Sequence, residues 1–181
     1  GVNQPILGMH CAVSSDEAGL QLLSQIPELR RLGINTLIIE VGYSYQWKSH
    51  PELCEDGFLS EDVAKRIAGE CRLNNILIIP LIECVGHQSW DDITDKLLLA
   101  YPEFDETPGM YDRNKGIYCR SWCVSNDSIY PVVFDLIDEI TCVFDTRFIH
   151  VGMDEIFLIG EDACPRCRGK RKDELLALAI N

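Results

Sequence analysis

The chain has 181 residues, 46% of them hydrophobic, and a formal net charge of −13 at pH 7. This apolar content is enough for one sizeable core, and the negative charge argues against nucleic acid and against anionic membrane surfaces as partners. No apolar run approaches the ~20 residues of a membrane-spanning helix, and the amino terminus shows no leader that resembles a signal peptide.

Strand-like and helix-like segments alternate along the chain. Short apolar runs predict four strands, at residues 8–13, 36–41, 76–82 and 148–152. A capping box of Ser14 with Glu17 predicts the start of the first helix, and Ser60 precedes the second. A long polar segment with many aromatic residues follows the third strand, and helices are predicted at residues 128–144 and from Asp173 onwards.

Apolar strands separated by amphipathic helices are typical of βαβ units with a parallel sheet. Four such units are half of a (β/α)8 barrel, which needs roughly 250 residues. A complete flavodoxin-like sheet would also fit this length, but no glycine-rich phosphate loop is present. We therefore predict an α/β fold of the parallel (β/α)8 TIM-barrel type. Residues 1–181 would form a single domain covering about the first four β/α units, the amino-terminal half of the barrel.

Polar side chains follow each predicted strand at its carboxyl end, where the active sites of parallel barrels lie. Because the carboxyl ends of successive strands meet at one face, we expect these acids, histidines and aromatic rings to converge. The residues are His10, Glu40, Glu83, His87, Trp90, Asp154 and Glu155.

The adjacent carboxylates Asp154 and Glu155 are the strongest candidates for chemistry. Like charges this close disfavour joint ionisation, so one carboxyl tends to stay protonated, as a general acid must. The alternative is a helix N-terminus, where acidic residues are favoured by the helix dipole alone. Carboxylates beside Trp and Tyr suit a carbohydrate, whose rings present apolar faces to aromatics and hydroxyls to acids.

Two motifs resemble glycoside hydrolase family 20, the β-N-acetylhexosaminidases. His150-Val151-Gly152-Met153-Asp154-Glu155 is similar to the family's His-x-Gly-x-Asp-Glu signature, and Ile79-Pro80-Leu81-Ile82-Glu83 with Gly86-His87 resembles its third-strand motif. The order and spacing of the motifs also agree. The resemblance covers most of the chain but only the first half of that family's barrel.

The resemblance implies a retaining, substrate-assisted glycosidase that removes a terminal β-linked N-acetylglucosamine or N-acetylgalactosamine. Glu155 would be the general acid/base, kept protonated by burial and by the charge of Asp154, which would orient the substrate's 2-acetamido group. His87 would support Glu155 through hydrogen bonds, and no cofactor would be required for catalysis. His150, a lone histidine in an apolar run, is expected to pack under the site.

The chain departs from the family's pattern at positions that contact sugar hydroxyls. Leu7-Gly8 stands where the family has Arg-Gly, Glu40 stands near the place of an Asp, and Glu83-Cys84-Val85-Gly86-His87 replaces Asp-x-Pro-Gly-His. A non-catalytic carbohydrate-binding or scaffold barrel that retains the acid pair is therefore the alternative function.

Nine cysteines are a high and odd number for a chain of this length. The pairs Cys119 with Cys123 and Cys164 with Cys167 have x₃ and x₂ spacing and predict a closed, structural Zn site. A disulfide or unpaired thiols are the alternatives. Cysteines within apolar segments favour a reducing compartment, and hence the cytoplasm, while secretion stays open because the amino terminus can have been trimmed.

The expected partners are a carbohydrate or glycoconjugate substrate, with neither nucleic acid nor membrane. A half barrel would leave strand edges open, which sheets normally avoid. The remaining half of the barrel, or a second copy of the chain, is therefore expected to cover them.

Overall fold

The computed structural model describes residues 5–180. Its contacts group these residues into two compact units, one of residues 5–82 with 135–150 and one of residues 83–134 with 151–180. The predicted single domain begins at Gly1 and ends at Asn181, and both of these residues lie outside the described part of the chain. None of the helices in this part of the chain is long and apolar enough to cross a membrane.

The first unit contains a parallel sheet in the order β1-β2-β3. Its strands are β1 (Gly8–Ala12), β2 (Thr36–Glu40) and β3 (Leu77–Leu81). In the register of this sheet Ala12 lies opposite Glu40, and Glu40 lies opposite Leu81, so the strands end level with one another. The predicted α/β class with a parallel sheet is confirmed.

Two amphipathic helices connect these strands, α1 (Asp16–Arg31) and α2 (Glu61–Leu73). Ser60 caps α2 as predicted, its hydroxyl accepting from the backbone N–H of Val63 at 3.3 Å. The predicted cap at Ser14 is wrong by one residue, because the helix begins at Asp16 and the hydroxyl of Ser15 reaches the N–H of Ala18 at 3.2 Å.

The two helices approach each other closely at Gly19. A Cβ atom there would lie 2.7 Å from a methyl group of Val63 and 2.8 Å from a methyl group of Leu59. Both neighbours are buried, as are Ile26 and Ile67 on the same helix faces. The interface therefore depends on a residue without a side chain.

The predicted fourth strand is much shorter than residues 148–152. Only His150 forms a parallel bridge, to Leu81, with its N–H donating to Pro80 at 2.8 Å and its carbonyl accepting from Ile82 at 3.1 Å. Gly152 then takes a left-handed conformation with φ +49°, which ends any extended run. The pairing is parallel as predicted, but the strand is reduced to a single bridge.

The second unit contains most of the long polar segment, which is ordered although it has little regular structure. A short antiparallel hairpin of β4 (Ser89–Trp90) and β5 (Ile93–Thr94) is followed by α3 (Lys96–Ala100). Helices α4 (Ile129–Val143) and α5 (Lys172–Ile180) begin within a residue of their predicted starts.

A buried guanidinium organises this segment. The Arg120 side chain forms an ion pair with Asp105 at 2.6 Å and donates to Asn114 and to the carbonyl oxygens of Met110 and Tyr111. Both members of the ion pair are almost fully buried. Such a charge is tolerated inside a protein only when its donors are satisfied, as they are here.

Candidate active site

Two loops of the second unit meet around the acid pair. Cys84 donates its N–H to the carbonyl of Val151 at 2.9 Å. A Cβ on Gly86 would lie 3.0 Å from the backbone oxygen of Asp154, and a Cβ on Gly152 would collide with the Glu83 carboxylate. The glycines of the two motifs therefore allow one loop backbone to approach the other.

This approach brings His87 to the acid pair. Its Nε2 lies 3.5 Å from Oδ2 of Asp154 and 3.4 Å from Oε2 of Glu155. His87 and Glu155 both have left-handed backbone conformations, with φ of +52° and +49°. Left-handed residues other than glycine carry strain of about 1–3 kcal/mol and concentrate at functional sites.

The Glu155 side chain is 46% exposed, so the expected burial of this carboxyl is wrong for this chain. A tyrosine also contacts this carboxyl group. The Tyr118 hydroxyl forms a hydrogen bond with Glu155, and this bond, together with the carboxylate charge, raises the pKa of Tyr118. The phenol hydroxyl is the donor in this bond, and the Glu155 carboxylate is the acceptor.

Aromatic rings surround the pair. The ring of Tyr118 makes edge contacts with His87 at 6.0 Å, Trp90 at 6.3 Å and Phe157 at 5.6 Å between centroids. Trp90, Tyr118 and Phe157 are all more than half exposed. A cavity of about 460 Å³, lined in part by Tyr118, Glu155 and Phe157, opens beside them, within the size range of small-ligand pockets.

Cys119 lies behind the acid pair. Its thiol donates to the backbone oxygen of Glu155 at 3.8 Å and accepts from the backbone N–H of His87. Sequence reasoning missed Tyr118 and Phe157 and assigned Cys119 to a metal. The aromatic content of the long segment was the available signal, but nothing in the sequence indicated which ring meets Glu155.

The remaining predicted site residues fall into two groups. Glu83, His87 and Asp154 converge within the second unit. His10 and Glu40 belong to the first unit, where His10 Nε2 lies 2.9 Å from the Glu40 carboxylate. His150 is exposed rather than packed under a site, and its backbone forms the parallel bridge to Leu81.

The predicted cysteine site is only partly formed. Cys123, Cys164 and Cys167 are buried together, and the fourth group beside them is Glu106, not Cys119. Cys119 begins the segment of residues 119–123 and is not among these ligand atoms, and its thiol instead donates to the backbone oxygen of Glu155. Trp122 of this segment bridges Asp105 in antiparallel fashion.

A carboxylate pair with a histidine and exposed aromatic rings, on an α/β scaffold, defines a site suited to carbohydrate chemistry. The family model described as glycosyl hydrolase family 20, catalytic domain, matches residues 22–178. The chain belongs to this family, whose members are glycosidases.

Two curated relatives carry the name beta-hexosaminidase. The protein of Porphyromonas gingivalis is 27% identical over 119 residues, which are 65% of this chain and 14% of the relative. The protein of Vibrio furnissii is 22% identical over 158 residues, which are 81% of this chain and 23% of the relative. The chain thus spans less than a quarter of the length of either relative.

Solved structures share the fold. The chitobiase of Flavobacterium johnsoniae superposes with a TM-score of 0.78 at 24% identity, over 98% of this chain and 29% of that chain. An exo-β-N-acetylglucosaminidase of Vibrio harveyi superposes with a TM-score of 0.73 at 18% identity, over 96% of this chain and 33% of that chain. These likenesses show the fold of the family's TIM-barrel catalytic domain.

Proposed function

We propose that this chain is the acid-bearing half of a β-N-acetylhexosaminidase barrel and supplies about the first four β/α units. The parallel order of β1, β2 and β3 and the bridge at His150 support this assignment. The solved structures support it too, since the chain matches about a third of each. The proposed substrate is a terminal β-linked N-acetylglucosamine or N-acetylgalactosamine on a glycan or glycoconjugate.

The observation that carries the proposal is the environment of Glu155. Its carboxyl is held by the Tyr118 hydroxyl, lies 3.4 Å from His87 and opens onto an aromatic-lined cavity. An acid that must protonate a leaving oxygen needs both a fixed orientation and access to the substrate. Glu155 has both.

In the first step, the carbonyl oxygen of the substrate's 2-acetamido group attacks the anomeric carbon. The glycosidic C–O bond breaks, and its oxygen leaves with the proton donated by Glu155. Asp154, one residue away and also facing His87, orients the acetamido group and balances the positive charge that develops on it.

In the second step, the Glu155 carboxylate removes a proton from a water molecule. The water attacks the anomeric carbon from the face that the leaving group vacated, and the bond to the acetamido oxygen breaks. Two inversions give net retention, and Glu155 regains its proton. No cofactor takes part in either step.

The aromatic rings and the remaining polar residues have supporting roles in this proposal. Trp90, 66% exposed beside Tyr118, is suited to stack against the apolar face of a sugar ring. Glu83 sits against the glycine turn that precedes the acid pair. His10 and Glu40, paired with each other, are proposed as further sugar contacts.

The test is hydrolysis of a nitrophenyl N-acetyl-β-glucosaminide by the full-length protein. Glu155→Gln preserves shape but removes the proton, and kcat should fall by about 10²- to 10⁴-fold. Glu174→Gln, the same change on the exposed surface of α5, is the control and should leave kcat unchanged. Equal activity in the wild type and Glu155→Gln would refute the proposal.

A carbohydrate-binding barrel without activity is the second candidate, and Leu7 is the feature that favours it, because the family's arginine is absent there. This candidate predicts that N-acetylglucosamine binds, detectable by calorimetry, while no aryl glycoside of either hexosamine is hydrolysed. Turnover that depends on Glu155 would eliminate it.

A further inference from the structure

Three cysteines and one glutamate form a buried cluster within the second unit, separate from the acid pair. The ligand atoms of Glu106, Cys123, Cys164 and Cys167 all lie within 4.8 Å of one another. Each residue is at most 1% exposed. Nothing in the proposed glycosidase chemistry uses this cluster.

We propose that Glu106, Cys123, Cys164 and Cys167 form a closed structural site for a zinc ion. The donor set of three soft sulfur atoms and one carboxylate suits Zn²⁺ among the common biological cations. This assignment replaces the sequence-based set by exchanging Cys119 for Glu106. It does not rest on the glycosidase activity.

The distances between the sulfur atoms fit one shared metal ion better than a disulfide bond. The Sγ atom of Cys123 lies 3.4 Å from both Cys164 Sγ and Cys167 Sγ. A disulfide needs about 2.05 Å, whereas a tetrahedral ion with Zn–S bonds of about 2.3 Å separates its sulfur ligands by roughly 3.8 Å. All three thiols are free in the structure.

Backbone amides already point at the sulfur atoms. The N–H of Cys167 donates to Cys164 Sγ at 3.3 Å, and the N–H of Arg166 also donates to this sulfur. The N–H of Ser125 donates to Cys123 Sγ. Burial raises the pKa of both thiols, and these backbone hydrogen bonds act in the opposite direction, offsetting part of that rise.

Glu106 supplies the fourth ligand. Its Oε1 accepts from the backbone N–H of Glu161 at 3.0 Å, whereas Oε2 is buried and has no hydrogen-bond partner in the described part of the chain. A buried carboxylate oxygen without a donor is costly. A cation among the three sulfur atoms would satisfy it.

A metal ion at this site would link the segment that follows Tyr118 to the segment that follows Glu155. Cys123 lies five residues after Tyr118, and the pair of Cys164 and Cys167 follows the loop that carries Glu155. A bound ion would therefore restrict the loop after the acid pair. Without it, this region would be held only by packing and by the hydrogen bonds of the thiols and the carboxylate.

The direct test is titration of the metal-free, reduced full-length protein with Co²⁺, which occupies zinc sites and reports sulfur ligands by charge-transfer absorption. We expect about one Co²⁺ per chain, tetrahedral ligand-field bands, and displacement by Zn²⁺. No charge-transfer absorption in the wild type would overturn the proposal, and so would a disulfide found among these cysteines by mass spectrometry of the purified protein.

Variants test the ligand set. Cys167→Ser and Glu106→Gln should each weaken Zn²⁺ binding by at least about tenfold in a chelator competition. Cys84→Ser, a buried thiol of the same unit outside the cluster, is the control. Cys119→Ser should bind like the wild type, and a loss equal to that of Cys167→Ser would restore the sequence-based set and overturn this one. Wild-type Zn²⁺ affinity in Glu106→Gln would show that Glu106 is not a ligand and would overturn the proposed set.

Discussion

Among single residues, the proposed glycosidase activity depends most on the contacts of Glu155. The adjacent acids Asp154 and Glu155 could be singled out from the sequence because two carboxylates after an apolar run are unusual. Their partners could not all be found in this way. The Gly-His motif predicted the role of His87. Tyr118, however, contacts Glu155 from an irregular loop, where no hydrophobic pattern in the sequence indicates the contact.

The contact between Tyr118 and Glu155 predicts a spectroscopic change. The hydrogen bond to Glu155 and its negative charge both raise the pKa of Tyr118. Replacing Glu155 by Gln removes the charge, so the pKa of Tyr118 should fall towards its ordinary value. The tyrosinate difference absorbance, assigned with Tyr118→Phe, measures this shift. An unchanged Tyr118 titration in Glu155→Gln would show that the two side chains do not interact.

Among the secondary-structure elements, the longer helices and the first three strands were predictable, whereas the fourth strand and the short elements of the long polar segment were not. Helix α2 and its Ser60 cap follow from local sequence, because a cap acts over three residues. The cysteine site was only partly predicted, because spacing alone cannot distinguish a compact loop from an extended one. The Cys119 thiol donates to the backbone of Glu155 instead, whereas Glu106 joins the cluster from a bend directly after the bridge of Asp105 to Trp122, which the sequence does not mark.

The close packing of α1 on α2 predicts opposite effects for two helical glycines. Gly19→Ala places a methyl group against the buried side chains of Leu59 and Val63. Overpacking of about 1–3 kcal/mol should exceed a gain in helix propensity of about 1 kcal/mol. Gly69→Ala in α2 meets nothing within 4 Å and should stabilise by about 0.5–1 kcal/mol. Urea unfolding of the full-length protein measures both, and stabilisation by Gly19→Ala would contradict the described interface.

For the whole molecule, the proposed half barrel predicts that residues 1–181 do not function alone. In the described part of the first unit, β1 and the bridge at His150 each have one strand neighbour. Unpaired strand edges favour association or aggregation. We expect the isolated chain to self-associate or unfold without cooperativity, as measured by sedimentation and thermal unfolding. A stable, active monomer would contradict the half-barrel assignment.

In the proposed mechanism, the substrate's own acetamido group attacks the anomeric carbon while Glu155 donates a proton. The most direct measurement is kcat/KM of the full-length protein for nitrophenyl β-glucosaminides whose N-acetyl group carries zero to three fluorine atoms. Fluorine weakens the carbonyl nucleophile, so kcat/KM should fall stepwise, by at least about tenfold across the series. Equal values for the N-acetyl and N-trifluoroacetyl substrates would contradict the claim.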